Sequence, residues 1–431
     1  MKTSEQVVIT GAGLVSSLGR TTDENWEALC AGKSGIKSIS GFDAGGFSCG
    51  LAAEVGKIDP ETLGIHPRDA RIMDTHAYLL MMASRNAFRN AGLDRAAFAP
   101  EDIGFYAGMG MVDYGNDDIL PAVMKSLGSE GSIDYPAFYE EGYREIYPLW
   151  PLSMLNNITF CQVGIDLGIR GENAVFCPHA DAGAQAITEG MRTIFEHRAK
   201  AVLAGGVSEK VSPLSIARLH LSGVAMTSIK TGSITYIPFS GEDRGTVMGE
   251  GAGIISLELR DSADRRGAAY SCMISGYGHA FGLAEAGPAP SAETIGNAMR
   301  QALKTASLSP EDIDLIIAHG DGSVFGDLNE AEAVTAVFGK RTGLMPVFSS
   351  KAALGNLFAG APAADIILGM QMIEKGIIPA MIPDKYQRSQ HAAEAPGPVT
   401  GEAQKKELRR IMVNCQSYEG QAASIIIGTV T

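Results

Sequence analysis

Apolar residues along the chain come in short dense runs separated by longer amphipathic stretches. Val7–Thr10 reads as a buried strand closed by Gly11-Ala12-Gly13, with a helix over Thr22–Ala31 capped by Thr22 or Asp23. Ala77–Ala91 has a helical period, Ile103–Ala107 is a short apolar strand, and Ala201–Gly205 and Gly253–Leu259 add two more. Strands alternating with helices in this way predict a doubly wound α/β architecture. A second pass begins near Ala268. Strands at Ser271–Gly276, Leu315–Ala318, Val347–Ser349 and Ile411–Asn414 flank helices at Ile295–Ala306, Leu328–Phe338 and Ala361–Lys375. The order of elements repeats although the residues do not. The charged stretch Glu258–Arg266 therefore marks the expected boundary between an N-terminal half, 1–260, and a C-terminal half, 261–431. Pro383–Glu402, rich in Pro, Ala and polar residues, reads as a surface loop or lid.

Composition narrows the partners. The 431 residues are 45% hydrophobic and 19% charged, with a net charge of −14, which argues against nucleic acid. An acidic carrier protein needs only a local basic patch. Candidates are Arg192 with His197, Arg198 and Lys200, and the run Lys405, Lys406, Arg409 and Arg410. The six cysteines (Cys30, Cys49, Cys161, Cys177, Cys272 and Cys415) form no CxxC pair, so no metal site is expected, and reduced thiols fit an intracellular chain. No apolar run reaches membrane-spanning length and the N-terminus has no signal core, so a soluble cytoplasmic protein is expected. The segment GAGLVSSLG follows a strand, but it lacks the third glycine and the acidic residue of a dinucleotide loop. It reads as a plain tight turn.

Five stretches carry a resemblance: VVITGAGLVSSLG (7–19), PFSGEDRGTVMGEGAGIISLE (238–258), AHGDGSVFGDLNEAEAV (318–334), SSKAALGNLFAGAPA (349–363) and NCQSYEGQAAS (414–424). In this order they resemble the β-ketoacyl synthase family of the thiolase fold. That resemblance implies two similar α/β halves packed as α-β-α-β-α layers. It also implies a strand-to-helix elbow whose cysteine takes an acyl chain as a thioester, with a helix N-terminus and backbone N–H groups holding the charge. Two histidines then assist decarboxylation of the extender unit.

The elbow here reads Val175-Phe176-Cys177-Pro178-His179-Ala180-Asp181-Ala182-Gly183, and in the register set by Gly183 and Ala186-Ile187 the cysteine position falls on Ala180. A methyl group forms no thioester. The first histidine falls on His319 and the lysine on Lys351, with Glu330 or Asp327 as its expected partner. The second histidine falls on Asn356, which carries no proton in catalysis. Ser417-Tyr418-Glu419-Gly420 replaces the family's Gly-Phe-Gly closing loop and should be stiffer. Cys177, at the end of the strand, is expected to be a buried structural thiol, and His179 either to be an unusual active-site group or to fill or cap the elbow.

A synthase scaffold without its nucleophile resembles the chain-length factor, or β subunit, of type II polyketide synthases. The resemblance implies a heterodimer with an active ketosynthase α subunit, a growing chain brought by acyl carrier protein, and no cofactor. Side chains of this subunit would wall the partner's acyl tunnel and limit chain length. The expected wall is Met109, Met111, Val112 and Tyr114, with Phe138, Tyr139 and Tyr143 as a second wall. Two alternatives stand beside it. One is an active malonyl decarboxylase or acyltransferase using His319 with or without Cys177; the other is a purely architectural partner.

Overall fold

The computed structural model describes residues 6–95, 97–111, 113–114, 116–226, 238–239, 245–381 and 403–430. Val112 and the loop expected over Pro383–Glu402 lie outside the described residues.

In chain order the main elements of the first half are β1 (Val7–Ser16), α1 (Thr75–Asn90), β2 (Ile103–Met109), α2 (Asn156–Leu167), β3 (Asn173–Phe176), α3 (Ala180–Phe195), β4 (Ala201–Val207), α4 (Pro213–Leu221) and β5 (Gly251–Leu259). The second half follows with β6 (Cys272–Phe281), α5 (Ala292–Ala306), β7 (Leu315–Ile317), α6 (Val324–Phe338), β8 (Val347–Phe348), α7 (Ala361–Lys375), β9 (Arg410–Gln416) and β10 (Gln421–Thr429). The ten strands are hydrogen-bonded in the order β8-β7-β9-β10-β6-β1-β5-β4-β2-β3. Read outward from the β6–β1 contact, the two groups of five repeat each other. In each, the first strand is antiparallel to the fifth, the fourth antiparallel to the fifth, and the second parallel to the third and fourth. The join is short: β1 and β6 pair only at Val7–Ile9.

Helices α3 and α7 pack against each other and against strands of both groups, so they form the middle layer. One apolar cluster surrounds them, with Ile187, Met191, Leu257, Ile367 and Ile427 among its members. A second cluster lies between α1 and the outer face of the first strand group, and a third between α5 and α6 and the second group. The result is α-β-α-β-α. Burial follows the layers: twelve of the sixteen residues of α3 are buried, including Asp181 and Thr188. A surface helix would show one polar face instead.

Several expectations need correcting. β1 does not stop at Thr10; it runs through Gly11 and Gly13 to Ser16, pairing with β5 throughout. The glycines admit the outer helix rather than a turn, because a Cβ on Gly13 would lie 2.1 Å from the carbonyl oxygen of Ala83 on α1. The helix that follows is capped by Thr21, whose hydroxyl accepts the Glu24 N–H at 3.2 Å while the Glu24 carboxylate accepts the Thr21 N–H. Thr22 and Asp23 are already inside that helix. The apolar run in 421–429, absent from the predicted strands, is β10 and pairs with both β9 and β6. Among the described residues no helix is long and apolar enough to cross a membrane.

Candidate functional site

The site forms where the N-terminus of α3 meets the loops after β7, β8 and β9. Ala180 is the first residue of α3 and 1% exposed, so its methyl is packed into the central cluster. The first turn is squeezed tight: a Cβ on Gly183 would come within 2.1 Å of the Ala359 carbonyl oxygen. Asp181 was missed in the sequence. Its carboxylate takes a 3.1 Å hydrogen bond from Gln185 Nε2 and sits in the first turn of α3, where the Ala182 N–H donates to the His179 carbonyl at 3.1 Å. It thus occupies the place at the helix N-terminus where an anionic group would otherwise bind. Burial, with the Glu419 charge adding, pushes the Asp181 carboxyl up to about 6.

His179, the N-cap of α3, fills the elbow, and neither ring nitrogen has a hydrogen-bond partner. Its ring lies 4.3 Å from that of Tyr418 and 5.9 Å from that of Phe358, with Nε2 3.7 Å from Glu419 Oε1. Burial pulls it down to about 4, so it is a neutral imidazole at pH 7. Tyr418 sits in the four-residue turn between β9 and β10, where the Gly420 N–H donates to the Ser417 carbonyl at 3.0 Å. Gly420 supplies the positive φ of that turn, +102°.

On the opposite wall, Lys351 and Asp365 are each 1% exposed and meet at 2.6 Å. The expected partners Glu330 and Asp327 are therefore wrong for Lys351. Asp365 lies on α7, one turn inside the helix, a position with no signal in the SSKAALGN segment. Ser350 Oγ donates to its other oxygen at 2.5 Å. Glu330 instead accepts the backbone N–H groups of His319 (3.0 Å) and Gly320 (2.9 Å) and the Asn414 side chain (3.0 Å). Asp327 accepts the N–H groups of Phe239 and Gly322. Burial raises both carboxyls, and for Asp327 the Asp321 charge adds to it. His319 is buried with Nδ1 unpartnered and Nε2 3.9 Å from Asp321 Oδ2. Burial, then the Lys351 charge, hold it well below the usual histidine range.

Asn356 serves the backbone. Its Oδ1 accepts the Phe358 N–H at 2.9 Å, holding a bulky residue at φ +45°. Its own N–H donates to the Val247 carbonyl at 2.7 Å.

Cys177 differs from expectation: the residue is exposed, with Asn156 Nδ2 donating to its sulfur at 3.2 Å. It stands beyond the last residue of β3, at the edge of the sheet. Partial burial of the sulfur still pushes the thiol up, away from the thiolate a nucleophile needs.

Of the expected wall, Met109 packs in the cluster under α1, on the face of β2 away from α3. Met111 and Tyr114 are half-buried, and Tyr114 meets Trp150 edge-on at 6.1 Å. Tyr139 and Tyr143 are exposed, so they line no cavity of this chain by itself. The two basic patches are largely neutralised: Arg192 and Arg198 pair with Glu196, Lys200 with Asp102, Arg409 with Glu407 and Arg410 with Asp312.

The chain matches the family models for the β-ketoacyl synthase N-terminal domain over residues 4–263 and the C-terminal domain over residues 271–383, and it belongs to the β-ketoacyl synthase family. Its fold is the thiolase-like ketosynthase fold. Among curated relatives it is 29% identical over 437 residues to 3-oxoacyl-[acyl-carrier-protein] synthase 2 of Staphylococcus aureus (strain COL), covering 99% of each chain. Among solved structures, the ishigamide ketosynthase/chain length factor superposes with a TM-score of 0.83 at 27% identity, over 98% of this chain and 99% of that one. A type II polyketide synthase acyl-carrier protein in complex with its ketosynthase bound to the hexaketide gives 0.79 at 22% identity, covering 98% and 99%, a likeness of fold alone.

Proposed function

We infer that this chain is a non-condensing ketosynthase subunit, a chain-length factor. It pairs with an active ketosynthase α subunit and walls the tunnel into which that partner's acyl chain grows. The chain arrives on acyl carrier protein, in polyketide or polyene synthesis. The division at 260/261 and the degenerate roles of Ala180, His319, Lys351 and Asn356 are part of the same reading. The observation that carries it is the occupied elbow. A methyl stands at the nucleophile position, the Asp181 carboxylate is buried in the first turn of α3, and His179 and Tyr418 fill the space above. Each of these opposes a different step: thioester formation, oxyanion binding and entry of an anionic extender. The same occupancy weighs against a decarboxylase that relies on His319. The raised thiol of Cys177 weighs against an acyltransferase.

Pairing is supported by the segment between β2 and the end of α2. Leu120, Tyr135, Tyr139, Tyr143, Tyr147 and Ile165 are all exposed there. Exposed aromatics gathered in one segment suit a protein interface rather than solvent. The neutralised basic patches fit a subunit that leaves carrier docking to its partner.

The test is coexpression with a ketosynthase that has an intact cysteine elbow. Elongated product is expected from the pair and none from this chain alone, and Tyr114→Ala in the pair should lengthen the product. Elongation of acyl carriers by the purified chain alone would refute the reading.

A further inference from the structure

The Ser417–Gly420 turn, which carries Tyr418 against the elbow, has no slack at its base. β9 and β10 stay paired up to Gln416 and Ala422, and the Ser417 N–H donates to the Gln421 carbonyl at 2.9 Å. On its outer side the turn meets the 282–291 loop between β6 and α5. There the Gly282 N–H donates to the Gly420 carbonyl at 2.9 Å. The approach needs glycine on the turn: Gly420 stands at φ +102°, and an added Cβ would come within 3.1 Å of Leu283 N.

Gly282 is itself fixed. Its carbonyl accepts the Ser291 N–H at 2.9 Å and the Thr294 hydroxyl at 3.1 Å, both at the start of α5. Further along the loop, the Pro290 carbonyl accepts the Asn329 side chain of α6 at 2.9 Å, and Gly287 lies against the Phe325 ring. Two packed helices thus hold the outer side of the turn. On its inner side Tyr418 packs on the cluster that contains Leu219, Met248 and Phe358. Its ring lies 4.3 Å from that of His179, whose Nε2 is 3.7 Å from Glu419 Oε1. Ala180, next to His179, is 1% exposed.

We propose that the turn is a strap latched shut, with Gly282 as the latch and Tyr418 as the seal over position 180. To swing away, the turn would have to break the Gly282–Gly420 bond and lift Tyr418 from its apolar bed in one movement. The strand pairing at its base offers no hinge. Within the turn only Gly420 has glycine's freedom, and Gly420 is the residue the latch holds. The strap deepens the non-condensing reading, on which it rests: the elbow is closed to reagents as well as lacking its thiol.

The test places a reporter under the strap. Ala180→Cys is made in the full chain, and alkylation by iodoacetamide is followed by mass mapping at fixed pH, with the exposed Cys161 as internal standard. The thiol of Ala180→Cys should react on the order of a hundredfold more slowly than Cys161. Adding Gly282→Pro removes the latch donor and leaves every elbow side chain in place. It should speed that thiol about tenfold, the scale of one hydrogen bond. Adding Tyr418→Ala instead should speed it further. Thermal melts check that each variant is folded; if Gly282→Pro is not, Gly282→Ala takes its place, since its methyl would meet Thr294 Oγ1 at 2.4 Å and push the loop off α5. A thiol that reacts at the Cys161 rate in Ala180→Cys alone, or that stays slow with Tyr418→Ala, overturns the seal. No acceleration in the folded Gly282 variant overturns the latch. Thiol rates in the expected order, in a native chain that nonetheless elongates acyl carriers, would keep the strap and sink the non-condensing reading. A fast thiol in a chain that elongates nothing would do the reverse.

Discussion

The two sides of the buried site keep their polar groups in different states. Around Lys351 the groups other than the His319 ring are engaged: Lys351 with Asp365, Asp365 with Ser350, Glu330 with two backbone N–H groups and Asn414, and Asn414 in turn with Ser424. At the start of α3, His179 has no hydrogen-bond partner and Asp181 takes a bond from Gln185 one turn along its own helix. On the Lys351 side it is Glu330 and Asp327 that hold backbone N–H groups, while Lys351 is held by Asp365. Ala180, on the other side, has no polar atom to engage, and its methyl is packed in the central cluster. Asn356 lies between these cases, different in type from a histidine yet still accepting the Phe358 N–H. The presence of Lys351 is therefore weak ground for activity in this chain, because its ion pair with Asp365 explains it.

The strongest way to break that contrast is to remove half of the ion pair. Asp365→Ala leaves the Lys351 charge buried without its 2.6 Å partner. Its expected cost is on the order of 3–5 kcal/mol, measured by urea unfolding of the full chain. Lys351→Met combined with Asp365→Leu removes both charges and should cost far less than either single change. A single-variant cost below about 1 kcal/mol would mean that the Lys351 side is not structural, and the contrast would collapse.

Much of this architecture is legible in the sequence. The strand-helix alternation and its repetition place most of the ten strands, and the elbow register puts Ala180 at the tip of α3. What is not legible depends on three-dimensional approach. The glycines at 11 and 13 look like a turn until α1 is seen pressing on them. The partner of Lys351 lies fourteen residues downstream on α7. Nothing in the local run distinguishes Asp365 from Glu330 or Asp327. Cys177 reads as buried because its neighbours are apolar, but β3 is an edge strand, a fact of sheet order that periodicity does not carry.

A second pair of changes sharpens the elbow side. His179 is depressed to about 4 in the folded chain from an ordinary 6.5, so protonation favours unfolding. Its contribution should make stability fall as pH drops from about 6.5 to 4, by on the order of 3 kcal/mol in full. Asp181 is raised from 3.8 to about 6, so its contribution has the opposite sign: stability falls as pH rises through that window. In the native chain the two slopes nearly cancel. His179→Phe, which keeps a ring against Tyr418, should expose the Asp181 slope, and Asp181→Asn should expose that of His179. Thermal melts between pH 4 and pH 7 read both, and parallel curves for the two variants would show that neither group is held as described.

The smallest expected effect concerns Asn356, where the contrast is finest. Its Oδ1 holds the Phe358 N–H at 2.9 Å, while its Nδ2 reaches Thr246 Oγ1 only at 3.4 Å. If backbone support is its work, the acceptor matters and the donor hardly does. Asn356→Ala should cost about 1–2 kcal/mol by leaving the Phe358 N–H unpaired in a residue held at positive φ. Asn356→His puts an imidazole nitrogen near the same N–H, and should recover part of that cost without bringing any condensing activity, since Ala180 still offers no thiol. The discriminating measurement is therefore stability and activity on the same two variants. Stability that follows the acceptor, with activity absent throughout, keeps Asn356 on the structural side. Condensation appearing in Asn356→His would move the whole site back toward chemistry.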